Sequence, residues 1–173
     1  LDLSLEGGRL GLFSWDIEAD NIIIDDQWAG MLGYKKEDID TNFDGWKLLL
    51  HQDDIAFFFD YLDQYLQGVI SNSEIQFRMR SKSGKFIWIL ERSKVVLRGD
   101  DGAPVRIAGT HMDITHIKET EKQLKEATHK AKILAITDAL TGLNNRLKLD
   151  DELIKELNRA HRYGNIFSII LID

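Results

Sequence analysis

An alternation of apolar and polar residues predicts five β-strands in the first two thirds of the chain. The first two strands form a hairpin between Gly11 and Asp25, with Ala19-Asp20-Asn21 at its turn. The other three form an antiparallel meander whose turns contain Gly84 and Gly102. These three strands cover residues 75–80, 86–97 and 105–114.

In the segment between the hairpin and the meander, the apolar residues recur at helical spacing instead. Residues 27–32 predict a short helix closed by Gly33, and residues 44–50 predict another. A longer helix follows, which Asp53 or Asp54 can cap and which ends at Gly68. The predicted fold class is α+β, a five-stranded antiparallel sheet with short helices on one face.

A long polar helix is predicted next, because the composition changes to Lys, Glu, Gln and Ala from Thr115 to Thr137, without glycine or proline. A narrow apolar stripe follows the a and d positions of a heptad. It consists of Ile117, Leu124, Ala127, Ala131 and Leu134. One amphipathic helix lying on its own domain would also carry a stripe, but so narrow a stripe favours a two-stranded parallel coiled coil.

The final residues predict the start of a second, α/β domain. A turn-rich loop at 138–146 leads into an amphipathic helix at 147–163, and an apolar strand follows at 167–172. The chain lacks an initiator Met and stops at Asp173, directly after this apolar run. We therefore expect it to be a piece of a longer protein.

Charge and composition narrow the function classes. The net charge of −7 and the lack of basic clusters disfavour nucleic acid and anionic membrane surfaces as partners. The chain has no cysteine, which excludes disulfides, thiolate zinc sites and chromophore adducts formed through cysteine, and suits a cytoplasmic location. No apolar run approaches the roughly 20 residues of a membrane span. This concerns the given residues alone and does not address an anchor upstream of Leu1.

Residues from about 8 to 117 resemble the PAS family, in the subtype of bacterial histidine kinases and cyclases. The resemblance rests on several short motifs. They are Trp15-Asp16, Trp28 to Tyr34, Trp46, His51 to Asp54, Glu74 to Arg80, Gly84 to Trp88, Asp101 to Pro104 and Gly109 to Thr115. One departure is Gln52, which stands where the family usually has proline. The resemblance implies a PAS fold for this sheet and its helices.

The tail resembles the beginning of a GGDEF domain, through the run Asp138 to Arg146 and the segment Ile169 to Asp173. That family joins two GTP molecules into cyclic di-GMP with Mg²⁺. The resemblance implies that Asp173 is the first metal-binding carboxylate, and that Asp138 and Arg146 are a structural pair at the exit of the linker. The family's other active-site residues lie further along, so we expect this fragment to be truncated before the active site and itself inactive.

Three segments follow from these resemblances: a PAS sensor domain at 1–117, a signalling helix at 118–137 and an N-terminal GGDEF fragment at 138–173. Because each GGDEF domain holds one GTP, we expect a homodimer formed through the PAS domain and the linker helix. We predict a relay from the sensor to the helix at Asp113, Ile114 and Thr115, with Asp113 bonded to a basic group such as Arg92.

The ligand of the PAS pocket is unknown from the sequence, and a small molecule is one possibility. Haem would need an axial ligand, and none of the four histidines weighed for that role clearly points into the pocket. We interpret these histidines, His51, His111, His116 and His129, as surface or structural residues. We interpret Trp15, Trp28, Trp46 and Trp88 as core residues first and as a cofactor cage second.

Two other functions fit parts of the pattern. A sensory or dimerisation module with a degenerate GGDEF domain, or in another signalling protein, would have no enzymatic output. A histidine kinase would carry a phosphoacceptor histidine in an acidic context. The nearest candidate, His129, lies between Thr128 and Lys130, so this option is remote.

Overall fold

The structure is a computed structural model that describes residues 10–70, 73–166 and 168–170. The chain divides into two compact units, Leu1–Glu119 and Thr120–Asp173. Among the described residues, no helix is long and apolar enough to cross a membrane. Each unit is described by itself below.

The first unit is built on one five-stranded antiparallel sheet in the order β2-β1-β5-β4-β3. Its strands are β1 Leu10–Asp16, β2 Asn21–Ile24, β3 Ser73–Arg80, β4 Phe86–Arg98 and β5 Pro104–Asp113. The hairpin and the meander expected from the alternation are both confirmed. The sheet joins them because β1 pairs with β5, which places the first and last strands side by side at its centre.

Three α-helices connect β2 to β3: α1 Asp26–Met31, α2 Phe43–Lys47 and α3 Gln52–Leu66. Asp25 caps α1 by accepting a hydrogen bond from the Trp28 N–H, and Asn42 caps α2 in the same way. The expectation that Asp53 or Asp54 caps α3 is wrong. His51 is the cap, and its Nδ1 accepts from the Asp53 N–H at 3.2 Å. The Asp54 carboxylate is instead bound by Arg78.

The core lies between the helices and one face of the sheet. Every second residue of β3 is buried, as the two-residue period predicts. The core consists of Ile22, Ile24, Trp28, Ala29, Leu32, Trp46, Leu49, Leu50, Phe58, Ile75, Phe77, Met79 and Ile89. Gly11 allows α1 to approach β1 closely, because a Cβ there would lie 2.5 Å from the Trp28 Cα.

The long polar helix, α4, spans Thr115–Ile136 and follows β5 after a single residue. Nearly all its residues are exposed; Thr115, Lys118 and Ile136 are the exceptions. This agrees with the predicted helix at residues 115–137.

The second unit contains α5, Arg146–Tyr163, which Asn145 caps and Gly164 closes in the left-handed conformation with φ 66°. The loop before it is held by an antiparallel bridge between Thr137 and Asn144. Residues 167 and 171–172 of the predicted last strand lie outside the described residues. Residues 168–170 carry no strand assignment.

Candidate functional site

A chain of hydrogen bonds crosses the interior of the first unit. The Trp28 indole N–H donates to His111 Nδ1 at 2.8 Å, and His111 Nε2 lies 3.0 Å from Glu91 Oε2. The Ser93 hydroxyl donates to Glu91 Oε1 at 3.0 Å. His111 is 1% exposed and Glu91 is 8% exposed, so these bonds form away from bulk water.

The indole fixes the tautomer of His111. An indole nitrogen can only donate, so His111 Nδ1 is an unprotonated acceptor and the ring proton is on Nε2. Nε2 therefore donates to Glu91, whose carboxylate accepts one bond at each oxygen. A carboxylate has room for further donors. The arrangement holds an acceptor at a fixed place in an apolar interior.

This acceptor faces a small interior cavity between the sheet and the helices. Its wall includes Phe13, Trp15, Phe58, Tyr65, Glu91 and His111. The cavity volume is about 40 Å³, which is room for a few waters. Burial raises the pKa of the Tyr65 hydroxyl above its ordinary value.

Trp15, another residue of the cavity wall, carries an unpaired donor. Its indole nitrogen is buried and, among the described residues, has no hydrogen-bond partner. The ring stacks on Phe43 with centroids 4.5 Å apart, and Phe43 stacks in turn on Trp46 at 5.6 Å. A ligand with a hydrogen-bond donor would match Glu91.

A second constellation lies where β5 ends and α4 begins. The Asp113 carboxylate accepts from the Thr115 N–H at 2.8 Å, and Ile114 is 4% exposed. The Ile114 N–H donates to the Trp88 carbonyl at 2.8 Å, while the Trp88 N–H donates to Thr115 Oγ1 at 2.9 Å. The structure thus brings three of the four predicted relay residues, Asp113, Ile114 and Thr115, together beside Trp88 of β4.

The fourth, Arg92, lies elsewhere, and the predicted contact with Asp113 is not formed. Arg92 stands opposite Thr110 in the ladder, and its Nε donates to Glu74 at 2.7 Å. Asp113 pairs with Ile89 in the same ladder, three residues from Arg92 along β4. That separation explains why Arg92 takes the nearer carboxylate.

The predicted pair in the tail is also not brought together. Asp138 accepts from the Thr141 hydroxyl at 2.8 Å and from the N–H groups of Leu140 and Thr141. These bonds, the Thr141 hydroxyl first, lower the pKa of the Asp138 carboxyl. Arg146 Nε lies 3.9 Å from Asp150, one helical turn away. Asp173 lies outside the described residues.

One of the four tryptophans departs from the expectation, whereas two of the histidines agree with it. Trp28 and Trp46 are buried in the core, and Trp15 packs against it. Trp88 is not a core residue, since it alternates with the buried Ile89 and interacts with Arg78. The histidines were expected to be surface or structural residues. His111 is structural, since it is part of the interior hydrogen-bond chain, and His51 is the cap of α3.

Comparison with known families decides the identity of the first unit. Residues 21–111, more than half of the 173-residue chain, match the family model described as the PAS fold. The chain belongs to the PAS family. Residues 135–173 match the model described as diguanylate cyclase, GGDEF domain. The chain is therefore a PAS sensor domain followed by a short GGDEF segment.

Solved structures support the PAS fold. A sensory box histidine kinase/response regulator from Burkholderia thailandensis is 24% identical with a TM-score of 0.65, and the match covers 76% of this chain and 96% of that one. The N-terminal domain of a diguanylate cyclase with PAS/PAC sensor from Marinobacter aquaeolei is 20% identical with a TM-score of 0.56, covering 63% and 98%. Curated protein sequences give no significant match.

Sequence reasoning missed the interior hydrogen-bond chain of the PAS domain. The signal was present in the strand alternation, because Glu91 and Ser93 share the parity of the buried Ile89 in β4. His111 likewise shares the parity of the buried Ile107 in β5. A charged or polar residue at a core position of a strand calls for a partner.

Proposed function

We propose that this chain is the sensory and dimerisation module of a diguanylate cyclase, and that it controls the joining of two GTP molecules into cyclic di-GMP. The observation that carries the proposal is the order of parts. A PAS domain runs through a continuous exposed helix into a segment that matches the cyclase family. We propose segment boundaries at 1–117, 118–137 and 138–173.

The input site in this proposal is the interior cavity. Glu91 offers a hydrogen-bond acceptor in an aromatic pocket, whose wall includes Trp15 with an indole nitrogen that is unpaired within the described part of the chain. The cavity is far too small for haem or flavin in this conformation, so a ligand of a few atoms is the better match. Binding would disturb Glu91 and His111 and, through them, strands β4 and β5.

The output is α4. Its start is bonded to Trp88 of β4 through Ile114 and Thr115, so a shift of β4 would move the first turn of the helix. Asp113, Ile114 and Thr115 remain our proposed relay. Arg92 lies outside this constellation, because its contact with Glu74 ties β3 to β4 instead.

Dimerisation gives the helix its role. Each GGDEF domain of a cyclase holds one GTP, so the two half-sites must meet before reaction. The stripe Ile117, Leu124, Ala127, Ala131 and Leu134 would form the seam of a parallel pair. A ligand would then act by changing how often the half-sites meet.

Magnesium is implied for the complete cyclase domain, where it would neutralise charge on the phosphates. The described residues do not supply such a site, since they contain no group of three or more His, Asp or Glu side chains placed to hold a metal ion. Asp173, the expected ligand, lies outside them. We therefore assign no step of the reaction to residues of this chain.

The test is an activity measurement on the full-length product of the gene. The purified protein is incubated with GTP and Mg²⁺, and cyclic di-GMP is detected by mass. Formation of cyclic di-GMP is the expected result. A protein that is dimeric and binds GTP but forms no product would overturn the enzymatic proposal in favour of a non-enzymatic sensor.

A further inference from the structure

Two cations lie over the ring of Trp88. The guanidinium carbon of Arg78 and the ammonium nitrogen of Lys118 are each 5.3 Å from its centroid. Arg78 is the direct cross-strand partner of Trp88, whereas Lys118 is in the first turn of α4. Cations within about 6 Å of an indole face are attracted by its quadrupole.

The charge of Arg78 is compensated on its other side. Asp54 accepts from Arg78 Nη2 at 2.6 Å and from Nε at 3.0 Å, and it also accepts the backbone N–H of Arg78 at 2.8 Å. This pairing offsets the repulsion between two cations that share one ring. A continuous set of contacts therefore runs from Asp54 at the start of α3, through Arg78 and Trp88, to Lys118.

Lys118 is exceptional within α4. From residue 116 to residue 135 it is the one half-buried residue, and all the others are exposed. Its partial burial places the alkyl stem against the sheet, next to the bonds that Ile114 and Thr115 make with Trp88.

We propose that Trp88 is a positioning residue for α4, and that its ring holds Lys118 so that the first turn of the helix keeps one orientation on β4. The hydrogen bonds of the Ile114 N–H and the Thr115 hydroxyl with the Trp88 backbone hold the start of the helix on β4. The contact with Lys118, one turn further along, adds a further point of attachment. The importance of this for signalling rests on the proposed role of α4 as the output.

The experiment measures hydrogen exchange of backbone amides 118–122 in this chain, by NMR or by mass spectrometry. Lys118→Gln keeps helix propensity while removing the charge, and Trp88→Leu keeps the backbone bonds while removing the ring. Each is expected to raise exchange about two- to fivefold, the size of a partly exposed cation–π contact. Lys122→Gln, one turn further along, is the matched control and should change nothing at residues 118–121.

Three further variants separate positioning from a general loss of stability. Lys118→Arg and Trp88→Phe should restore near-normal exchange, because they keep a cation and a ring. The double variant Trp88→Leu with Lys118→Gln should exchange no faster than either single variant, since both remove one contact. The midpoint of thermal unfolding should fall by no more than a few degrees in Lys118→Gln, as expected for the loss of one partly exposed contact outside the core.

Unchanged exchange in Lys118→Gln, or equal changes in Lys118→Gln and Lys122→Gln, would overturn the proposal. Additive effects in the double variant would overturn it as well. None of these readouts depends on cyclase activity. If exchange responds as expected but Lys118→Gln leaves the cyclic di-GMP rate of the full-length protein unchanged, the positioning role stands and the proposed output role of α4 is wrong.

Discussion

At the scale of single residues, the interior of the PAS domain depends on one carboxylate. Glu91 lies where a strand needs an apolar side chain, and it is accommodated because His111 and Ser93 each donate to it. His111 is fixed in turn by the Trp28 indole. Such a chain is costly when incomplete, because each unpaired buried group keeps its full desolvation penalty.

Two substitutions of Glu91 should therefore differ sharply. Glu91→Gln can accept from His111 and donate to Ser93, so we expect a loss of less than about 1 kcal/mol. Glu91→Leu leaves both partners unsatisfied and should cost about 2 kcal/mol or more. Urea unfolding followed by tryptophan fluorescence measures both. Equal losses for the two variants would show that the hydrogen bonds contribute nothing.

At the scale of elements, β3 illustrates how an edge strand is protected. Its outer backbone is covered by two side chains of α3. Asp54 accepts the Arg78 N–H, and the Tyr61 hydroxyl accepts the Glu74 N–H at 2.9 Å. These bonds satisfy backbone groups that would otherwise be available to another chain.

The Asp54 carboxylate should make stability depend on pH. Burial alone raises the pKa of Asp54, but hydrogen bonds from Arg78 outweigh it and hold that pKa below its ordinary value. A lowered pKa in the folded state contributes stability above the unfolded pKa of about 3.9, which is lost as the pH falls through the folded value. Asp54→Asn should thus cost about 2 kcal/mol at pH 7 and progressively less below pH 4.

Urea unfolding of both proteins between pH 2.5 and pH 7 measures this difference. Asp38→Asn is the control, because Asp38 pairs with Lys82 in a solvent-exposed bridge and its side chain is 43% exposed. We expect a smaller difference for Asp38 over the same range. A constant cost of Asp54→Asn down to pH 2.5 would contradict the argument.

The elements could be predicted from the sequence more fully than the sites. Strand periodicity and glycine turns located β3 and β4 within two residues, because one buried face imposes the alternation. The cap of α3 and the partner of Arg92 were missed. Both contacts depend on which residues the sheet register places side by side. The Asp54 carboxylate binds Arg78 and not the helix end, and Glu74 lies closer to Arg92 than Asp113 does.

The position of Trp88 is another feature that could not be predicted from the sequence. Its size suggested the core, yet the parity of β4 places it on the opposite face from Ile89. Its function there depends on Lys118, thirty residues later in the chain. Such a contact becomes visible only when β5 has placed the start of α4 beside β4.

At the scale of the whole molecule, α4 has an exposed apolar stripe that a second copy of the chain could cover. Leu124 is 67% exposed and Leu134 is 75% exposed, although both lie on the predicted heptad stripe. A parallel pair of helices would bury them, and this agrees with the need of a cyclase for two facing half-sites.

Neighbouring residues of α4 provide a matched test of this seam. We expect the chain to dimerise in solution, and Leu134→Gln to raise the dissociation constant by at least about tenfold, because each dimer buries two leucines at the seam. Ile133→Gln removes an apolar side chain of similar size from an off-stripe position and should change the constant little. Sedimentation velocity over a concentration series measures all three proteins.

The comparison of these two variants also decides between the two interpretations of the stripe. A wild-type chain that stays monomeric at every concentration would contradict the coiled coil and favour one amphipathic helix. Equal weakening by Leu134→Gln and Ile133→Gln would place the seam on another face of α4. A dimer that neither substitution weakens would be held by surfaces other than this stripe, of which the PAS domain is the first to test, and the helix would then follow the dimer without forming it.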